Sequence, residues 1–168
     1  MKCLGAYKRS ICMAAASGDW AMASSFDKTH PNWISTPLTA NGDTALHIAV
    51  AMEKTRFVAK LVKHTNMEDL EIRKTDGTTA FCIAAISGNV KIAAILFGKN
   101  PRLLWIRGQN DMLPIHLASV AGHLHMVKFL FEKALEEMHI NLPFEDIVKM
   151  FFLTFTCSIY SKSFFFCC

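Results

Sequence analysis

The stretch Asn41-Gly42-Asp43-Thr44-Ala45-Leu46-His47-Ile48-Ala49-Val50-Ala51 decides the reading of this chain. Asn-Gly is a strong turn signal, because Gly42 can take a positive φ without steric cost. Thr44 then stands where a helix N-cap belongs, its hydroxyl able to accept from a free N–H of the first turn. Leu46, Ala49 and Val50 follow at helical spacing, and the small residues let a second helix approach closely. Arg56 to His64 supplies that helix, with Phe57, Val58, Leu61 and Val62 as its apolar stripe. One unit is therefore a turn and two short antiparallel helices.

The unit recurs. Cys12-Met13-Ala14-Ala15-Ala16-Ser17-Gly18, His47-Ile48-Ala49-Val50-Ala51-Met52-Glu53, Cys82-Ile83-Ala84-Ala85-Ile86-Ser87-Gly88 and His116-Leu117-Ala118-Ser119-Val120-Ala121-Gly122 are four versions of one phrase. Ala14, Ala49, Ala84 and Ala118 follow one another at steps of 35, 35 and 34 residues. A fixed period of that length marks a helical solenoid, which acts by presenting a surface. The third copy opens with Asp76-Gly77-Thr78-Thr79-Ala80-Phe81 and carries Ile92, Ala93, Leu96 and Phe97 on its second helix; the fourth carries Met126, Val127, Leu130 and Phe131. Pro114 falls at a first helical turn, where its missing N–H costs nothing. Gly18, Gly88 and Gly122 are expected to end their helices. Glu53 stands at that place in the second copy, so its turn is expected to be less ideal.

Composition bounds the rest. With 168 residues, 52% hydrophobic and only 19% charged, the chain suits one domain with extensive burial. The net charge is +4 and the 18 basic residues form no run, so no nucleic-acid footprint is indicated. The six cysteines form no CxxC pair, and Cys12 and Cys82 share one repeat position with His47 and His116. That pattern reads as small buried thiols in a reducing compartment rather than disulfides. No signal peptide and no run of about 18 apolar residues is present, which gives the chain a cytoplasmic character.

No catalytic, cofactor or metal site is expected. His47, His116, Cys12 and Cys82 lie a full repeat apart along a stack and cannot converge on one ion. His123 and His125 point in different directions from a helix start. There is no Gly-rich phosphate loop and no G-x-S-x-G elbow, and Glu68, Asp69 and Glu71 read as a solvated loop.

The pattern Thr-(Pro/Ala)-Leu-His-x-Ala, then Gly-His, then Val-x-x-Leu resembles the ankyrin repeat. Thr44, Leu46, His47, Ala49, Val58 and Leu61 carry it, as do Thr79, Ala84, Ala85, Gly88 and Leu96, and Pro114, His116, Ala118, Gly122, His123, Val127 and Leu130. The resemblance implies an all-α ankyrin-repeat solenoid of stacked helix-turn-helix units with short β-hairpin-like loops, and a non-enzymatic protein-interaction scaffold. It further implies that variable positions on the loop tips and concave groove hold the partner. These are Asn41, Asp43 and Met52 in the second unit, Arg73, Thr75, Asp76, Thr78, Ile86 and Ser87 in the third, and Arg107, Gln109, Asn110 and Met112 in the fourth. Arg73, Arg107 and Met112 are the expected anchors, because Arg is enriched at binding hot spots and exposed Met is adaptable.

Gly18-Asp19-Trp20, the Trp33 loop, the Gly42 to Ala49 segment and Lys99-Asn100-Pro101 also resemble the plant ankyrin proteins that end in a membrane-spanning PGG domain. That resemblance implies stress or defence signalling and a membrane-associated full-length form. The present chain contains no Pro-Gly-Gly. We expect residues 1–134 to form the array of about four repeats, the first and last degenerate. Residues 135–168 are expected to form a hydrophobic tail, the start of a truncated further repeat. Pro143 marks a break, after which Phe144 to Tyr160 reads as an amphipathic helix or as the opening of another unit. Phe151, Phe152, Phe155 and Phe164-Phe165-Phe166 would form an apolar patch that favours self-association. Cys167-Cys168 resembles the doubly prenylated ending of Rab-type GTPases, though nothing else in the chain does.

Overall fold

The computed structural model describes residues 5–137. Readings that fall on Cys3 or on 138–168, including the tail patch and Cys167-Cys168, lie outside the described residues. Within them the first helices of four units, α1 (Ala6–Ser17), α3 (Ala45–Ala51), α6 (Ala80–Ser87) and α8 (Pro114–Val120), stack successively into one layer. The second helices form the other layer, in which α4 (Thr55–Lys63) packs on α7 (Val90–Lys99) and α7 on α9 (Leu124–Glu136). A short α2 (Trp20–Ser24) completes the first unit, and α5 (Met67–Leu70) is a single turn leading into the third. The architecture is the all-α solenoid expected. α9 ends at Glu136, and Ala134 in its last turns is buried against the core.

Burial follows the repeat phase. Ala14, Ala49, Ala84 and Ala118 are all buried, and a larger side chain at any of them would push the layers apart. Phe57, Val58, Leu61 and Val62 of α4 are buried as the apolar stripe requires, and so are Ile92, Ala93 and Leu96 of α7. Gly18, Gly88 and Gly122 close their helices at φ +83°, +70° and +78°. Glu53 does the same at φ +54°.

The helix starts explain the alternation of His and Cys. His47 Nδ1 accepts from the Thr44 N–H at 3.3 Å and lies 2.9 Å from Thr44 Oγ1. His116 Nδ1 takes the Leu113 N–H in the same way at 3.4 Å. In the third unit Thr79 Oγ1 accepts the Cys82 N–H at 3.2 Å and donates to Cys82 Sγ at 3.3 Å. At this position a histidine accepts the N-cap N–H itself, whereas Cys82 leaves the capping to Thr79 and accepts only from the Thr79 hydroxyl.

Two departures from expectation appear. α2 has only five residues, and Trp33 fills the space beneath it, its Nε1 donating to Asp27 Oδ1 at 2.6 Å. Trp20 then packs edge-on against Phe57 with ring centroids 5.6 Å apart. The second departure is Cys12, which is disulfide-bonded, whereas Cys82 is a free buried thiol. Equivalent positions thus differ in what lies within reach of the sulfur: the Cys82 thiol points at the Ile106 carbonyl, 3.8 Å away. Cys12 is therefore not the reduced buried thiol that its repeat position suggested.

Candidate functional site

The loop tips are built by short-range hydrogen bonds. In the tip before α3, the Leu38 N–H donates to the Asp43 carbonyl at 2.7 Å, and Thr39 Oγ1 donates to Asp43 Oδ2 at 2.6 Å. The tip before α6 carries an antiparallel bridge between Arg73 and Thr79, with the Lys74 N–H donating to the Thr78 carbonyl at 2.9 Å. Before α8, the Gly108 N–H donates to the Met112 carbonyl at 2.9 Å, and Asn110 and Asp111 take φ +54° and +56°. The loops are thus hairpin-like, and among the described residues they form no extended strand.

Neighbouring tips are also joined to each other. The Asn41 carbonyl accepts from the Thr75 N–H at 3.0 Å and from Thr75 Oγ1 at 3.3 Å. Lys74 Nζ lies 3.4 Å from Asp43 Oδ1 and 3.7 Å from Asp76 Oδ2. Gly42 permits this approach, since a Cβ there would lie 3.4 Å from Lys74 Cα at an already positive φ of 80°. Burial acts on the Asp76 carboxyl by raising its pKa, but the Thr78 N–H and hydroxyl and the Lys74 charge outweigh it and hold the group below its usual value.

The expected partner-binding residues therefore divide. Asn41, Arg73, Thr75, Asp76 and Asn110 have exposed side chains, and Asp43, Ile86, Ser87, Arg107, Gln109 and Met112 are half-buried. Asp43 is held by Thr39 and Lys74, and Ser87 Oγ donates to the Ala84 carbonyl at 3.2 Å. Arg107 Nη1 donates to the Asp111 carbonyl at 2.8 Å within its own tip. Thr78 is only 3% exposed and drops out of the surface, because it lies immediately before the N-cap and turns under the helix.

Sequence reasoning named Met52 and Ile86 but missed the apolar residues that accompany them along the first helices. Met13 and Val120 are 65% and 70% exposed, and Met52 is 49% exposed. Ala16 on α1, Ala51 on α3, Ile86 on α6 and Val120 on α8 fall in one repeat phase; Met13 and Ile83 stand three residues before Ala16 and Ile86, Met52 and Ala121 one residue after Ala51 and Val120, and all are exposed or partly so. Together they make an apolar floor running across four units. The signal was available: Ala16, Ala51, Ile86 and Val120 recur at the same 35, 35 and 34 residue steps as the buried alanines.

Burial acts on two ionisable groups at the helix starts. His47 is buried, and desolvation lowers its pKa from 6.5 against opposing contributions from Asp43 and from the Thr78 and Ile72 carbonyls. Burial likewise pushes the Cys82 thiol up, with Thr79 opposing. Among the described residues no group of three His, Cys, Asp or Glu side chains is placed to hold a metal ion. No helix among them is long and apolar enough to cross a membrane.

Comparison with known proteins agrees with this geometry. The family model for ankyrin repeats in three copies matches residues 11–104 and 57–143. An 80-residue stretch is 34% identical to BTB/POZ domain-containing protein 1 of Schizosaccharomyces pombe, covering 46% of this chain and 6% of that protein. The present chain thus spans a small part of that relative's length. With the repeat phase, the capped first helices and this match in agreement, the chain belongs to the ankyrin repeat family, whose repeats form protein-interaction scaffolds.

Proposed function

We propose that this chain is a non-enzymatic scaffold that holds another protein across the open side of its first helices, with the loop tips as a side wall. The apolar floor carries the reading. Met13, Met52, Ile86 and Val120 leave apolar surface accessible on four consecutive units, and apolar patches of that extent mark interaction sites. Methionines suit a floor that must adapt to its ligand. Of the tip residues, Arg73, Gln109, Asn110 and Met112 are the candidates for polar and thioether contacts at the rim. The partner is an extended or helical segment with an apolar face.

The test is capture of partners from the native cell with the wild-type chain and with Met52→Glu, Ile86→Glu and Val120→Glu. Each substitution places a charge on the floor without touching the core. Specific partners should be lost from all three while helical circular dichroism is unchanged. Retention of the same partners by all three variants would refute the floor as the binding surface.

The setting is proposed from resemblance. Gly18-Asp19-Trp20, the Trp33 loop and Lys99-Asn100-Pro101 favour plant stress or defence signalling. They also favour a second reading, in which the chain is part of a membrane-associated protein of the PGG type. Reading the transcript beyond the Cys168 codon decides between them: further repeats followed by apolar spans support the second, and an in-frame stop supports the first. We place the array in 1–134 and a hydrophobic tail in 135–168.

A further inference from the structure

We propose that the outer surface of α4 and α7 is a second docking face, which takes an acidic helical segment of a partner protein. On α4, Arg56, Lys60 and Lys63 are exposed and follow one another at steps of four and three residues, so they share one helix face. Phe57, Val58, Leu61 and Val62 bury the opposite face. On α7, Lys91 and Lys99 are exposed near the two ends of the helix. Lys91 follows Arg56 at the 35-residue step, and α7 packs on α4. Neither helix contains an acidic residue.

Helix stability does not account for this arrangement. A helix N-terminus carries partial positive charge and favours Asp or Glu in its first turn. Arg56 and Lys91 stand in first turns that hold no acid, so both oppose the helix dipole. Lys60, Lys63 and Lys99 lie in last turns, where the dipole favours them. A surface that is cationic at both ends of two neighbouring helices is thus held against a local preference, as is expected of functional positions. Nor is the charge used internally. Lys74, Arg107, Lys128 and Lys133 pair with acids in the tips and on α9. Among the described residues no ion pair engages the cations of α4 and α7.

The rest of the face narrows the occupant. Among the described residues, none of the exposed large apolar side chains lies on α4 or α7. The face therefore offers no apolar anchor to a lipid layer and no exposed Phe, Tyr or Trp on which a base would stack. Ala94 and Gly98 are exposed on α7 with short side chains or none. They leave a low lane beside the Arg56–Lys63 row for a second helix, about 10–12 Å across. Steps of four and three residues rise about 6 and 4.5 Å along a helix axis. Carboxylates at i, i+4 and i+7 of a partner helix reproduce those rises, so the complement is an acidic helix face. Each exposed pair adds little on its own, and such a surface acts mainly by steering and orienting its partner. The inference stands apart from the floor, which belongs to the first helices.

The experiment uses the full chain and a fluorescent helical peptide of about 20 residues with Glu at i, i+4, i+7 and i+11. A matched peptide with Gln at those positions, phosphatidylserine-containing vesicles and an oligothymidylate complete the set. The Glu peptide should bind at least about 10-fold more tightly than the Gln peptide, and about 10-fold more weakly at about 200 mM salt than at about 20 mM. The double variant Arg56→Glu with Lys91→Glu should weaken Glu-peptide binding by about 10-fold or more. Its melting temperature should hold or rise, because the new carboxylates suit the first turns. Equal binding of the two peptides, or binding untouched by the double variant, would overturn the proposal. So would a loss of binding accompanied by a fall in melting temperature, which would make the two cations structural. Vesicles or oligothymidylate bound more tightly than the Glu peptide, and released by the same double variant, would assign the face to a membrane or a nucleic acid instead.

Discussion

Glu53→Gly is expected to stabilise this protein, and the four turns that close the first helices set the size of the effect. Gly18, Gly88 and Gly122 sit at φ +83°, +70° and +78°, and Glu53 holds φ +54° at the equivalent place. A left-handed conformation costs an L-residue about 1–2 kcal/mol, because its Cβ crowds the following carbonyl oxygen. Glycine escapes that strain but loses about 0.5–1 kcal/mol more chain entropy on folding. The balance favours glycine by about 0.5–1 kcal/mol. For a chain of this size about 2–4 °C accompanies each kcal/mol, so the melting temperature should rise by about 1–4 °C. The Glu53 side chain is exposed to solvent, so little that its carboxylate touches would be lost with it.

The same position supplies its own controls. Gly122→Ala meets nothing within 4 Å and should lose only the left-handed strain, about 1 kcal/mol. Gly88→Ala would set its Cβ 2.6 Å from both Cγ and Nδ1 of His123. Those are ring atoms next to the side chain's own Cβ, so the imidazole must swing away, and the total loss should reach about 2–4 kcal/mol. Urea denaturation followed by circular dichroism, in one fixed redox buffer because of Cys12, measures all three. A Glu53→Gly variant no more stable than wild type would refute the strain argument. Equal losses at Gly88 and Gly122 would refute the seating of His123 on Gly88.

Other outcomes follow from buried polar groups. Burial holds the His47 pKa below 6.5, so the unfolded chain takes up its proton first on acidification. The His47 contribution is full above pH 6.5 and is lost as pH falls towards the folded-state pKa; His47→Gln should flatten urea midpoints plotted against pH in that window. The Cys82 thiol, pushed above its usual value of 9.0, should react with a disulfide reagent at pH 8 only as fast as the native protein opens. Trp33→Phe removes the 2.6 Å bond to Asp27 and should cost about 1–2 kcal/mol in thermal or urea unfolding.

Much of the fold was legible because a repeat states its core several times. Ala49 alone is a small residue; Ala14, Ala49, Ala84 and Ala118 in phase are a layer interface. The equivalence of His47, Cys82 and His116 was equally visible, and all three lie beside the N-cap of their helix, His47 and His116 taking its N–H and Cys82 bonded to the Thr79 hydroxyl. What the period could not show is contact between units. The Thr75 to Asn41 bond joins residues 34 apart, and no propensity of either predicts it. Thr78 and Asp76 differ by only two positions, yet one turns under the helix and the other faces water. Trp33 lies in the one unit where the second helix is shortened, so no other copy repeats its environment.

These tip-to-tip contacts change which side chains can discriminate among partners. Lys74, Asp43, Asp76 and Thr75 already hold one another, and a ligand that competes for them must break those bonds first. Met13, Met52, Ile86 and Val120 have no such obligation, and covering their apolar area gains about 25 cal/mol per Å². Arg107 is a poor probe of the rim, since reversing its charge also breaks its bond to the Asp111 carbonyl. Arg73 is the cleaner one: its side chain is exposed and its tie to Thr79 is a backbone bridge. Arg73→Glu should therefore weaken capture of the partner about 10-fold or more, as for a hot-spot arginine, while the melting temperature stays within about 1 °C. Unchanged capture would confine recognition to the floor, whereas a matching fall in melting temperature would show that Arg73 supports the tip instead of the ligand.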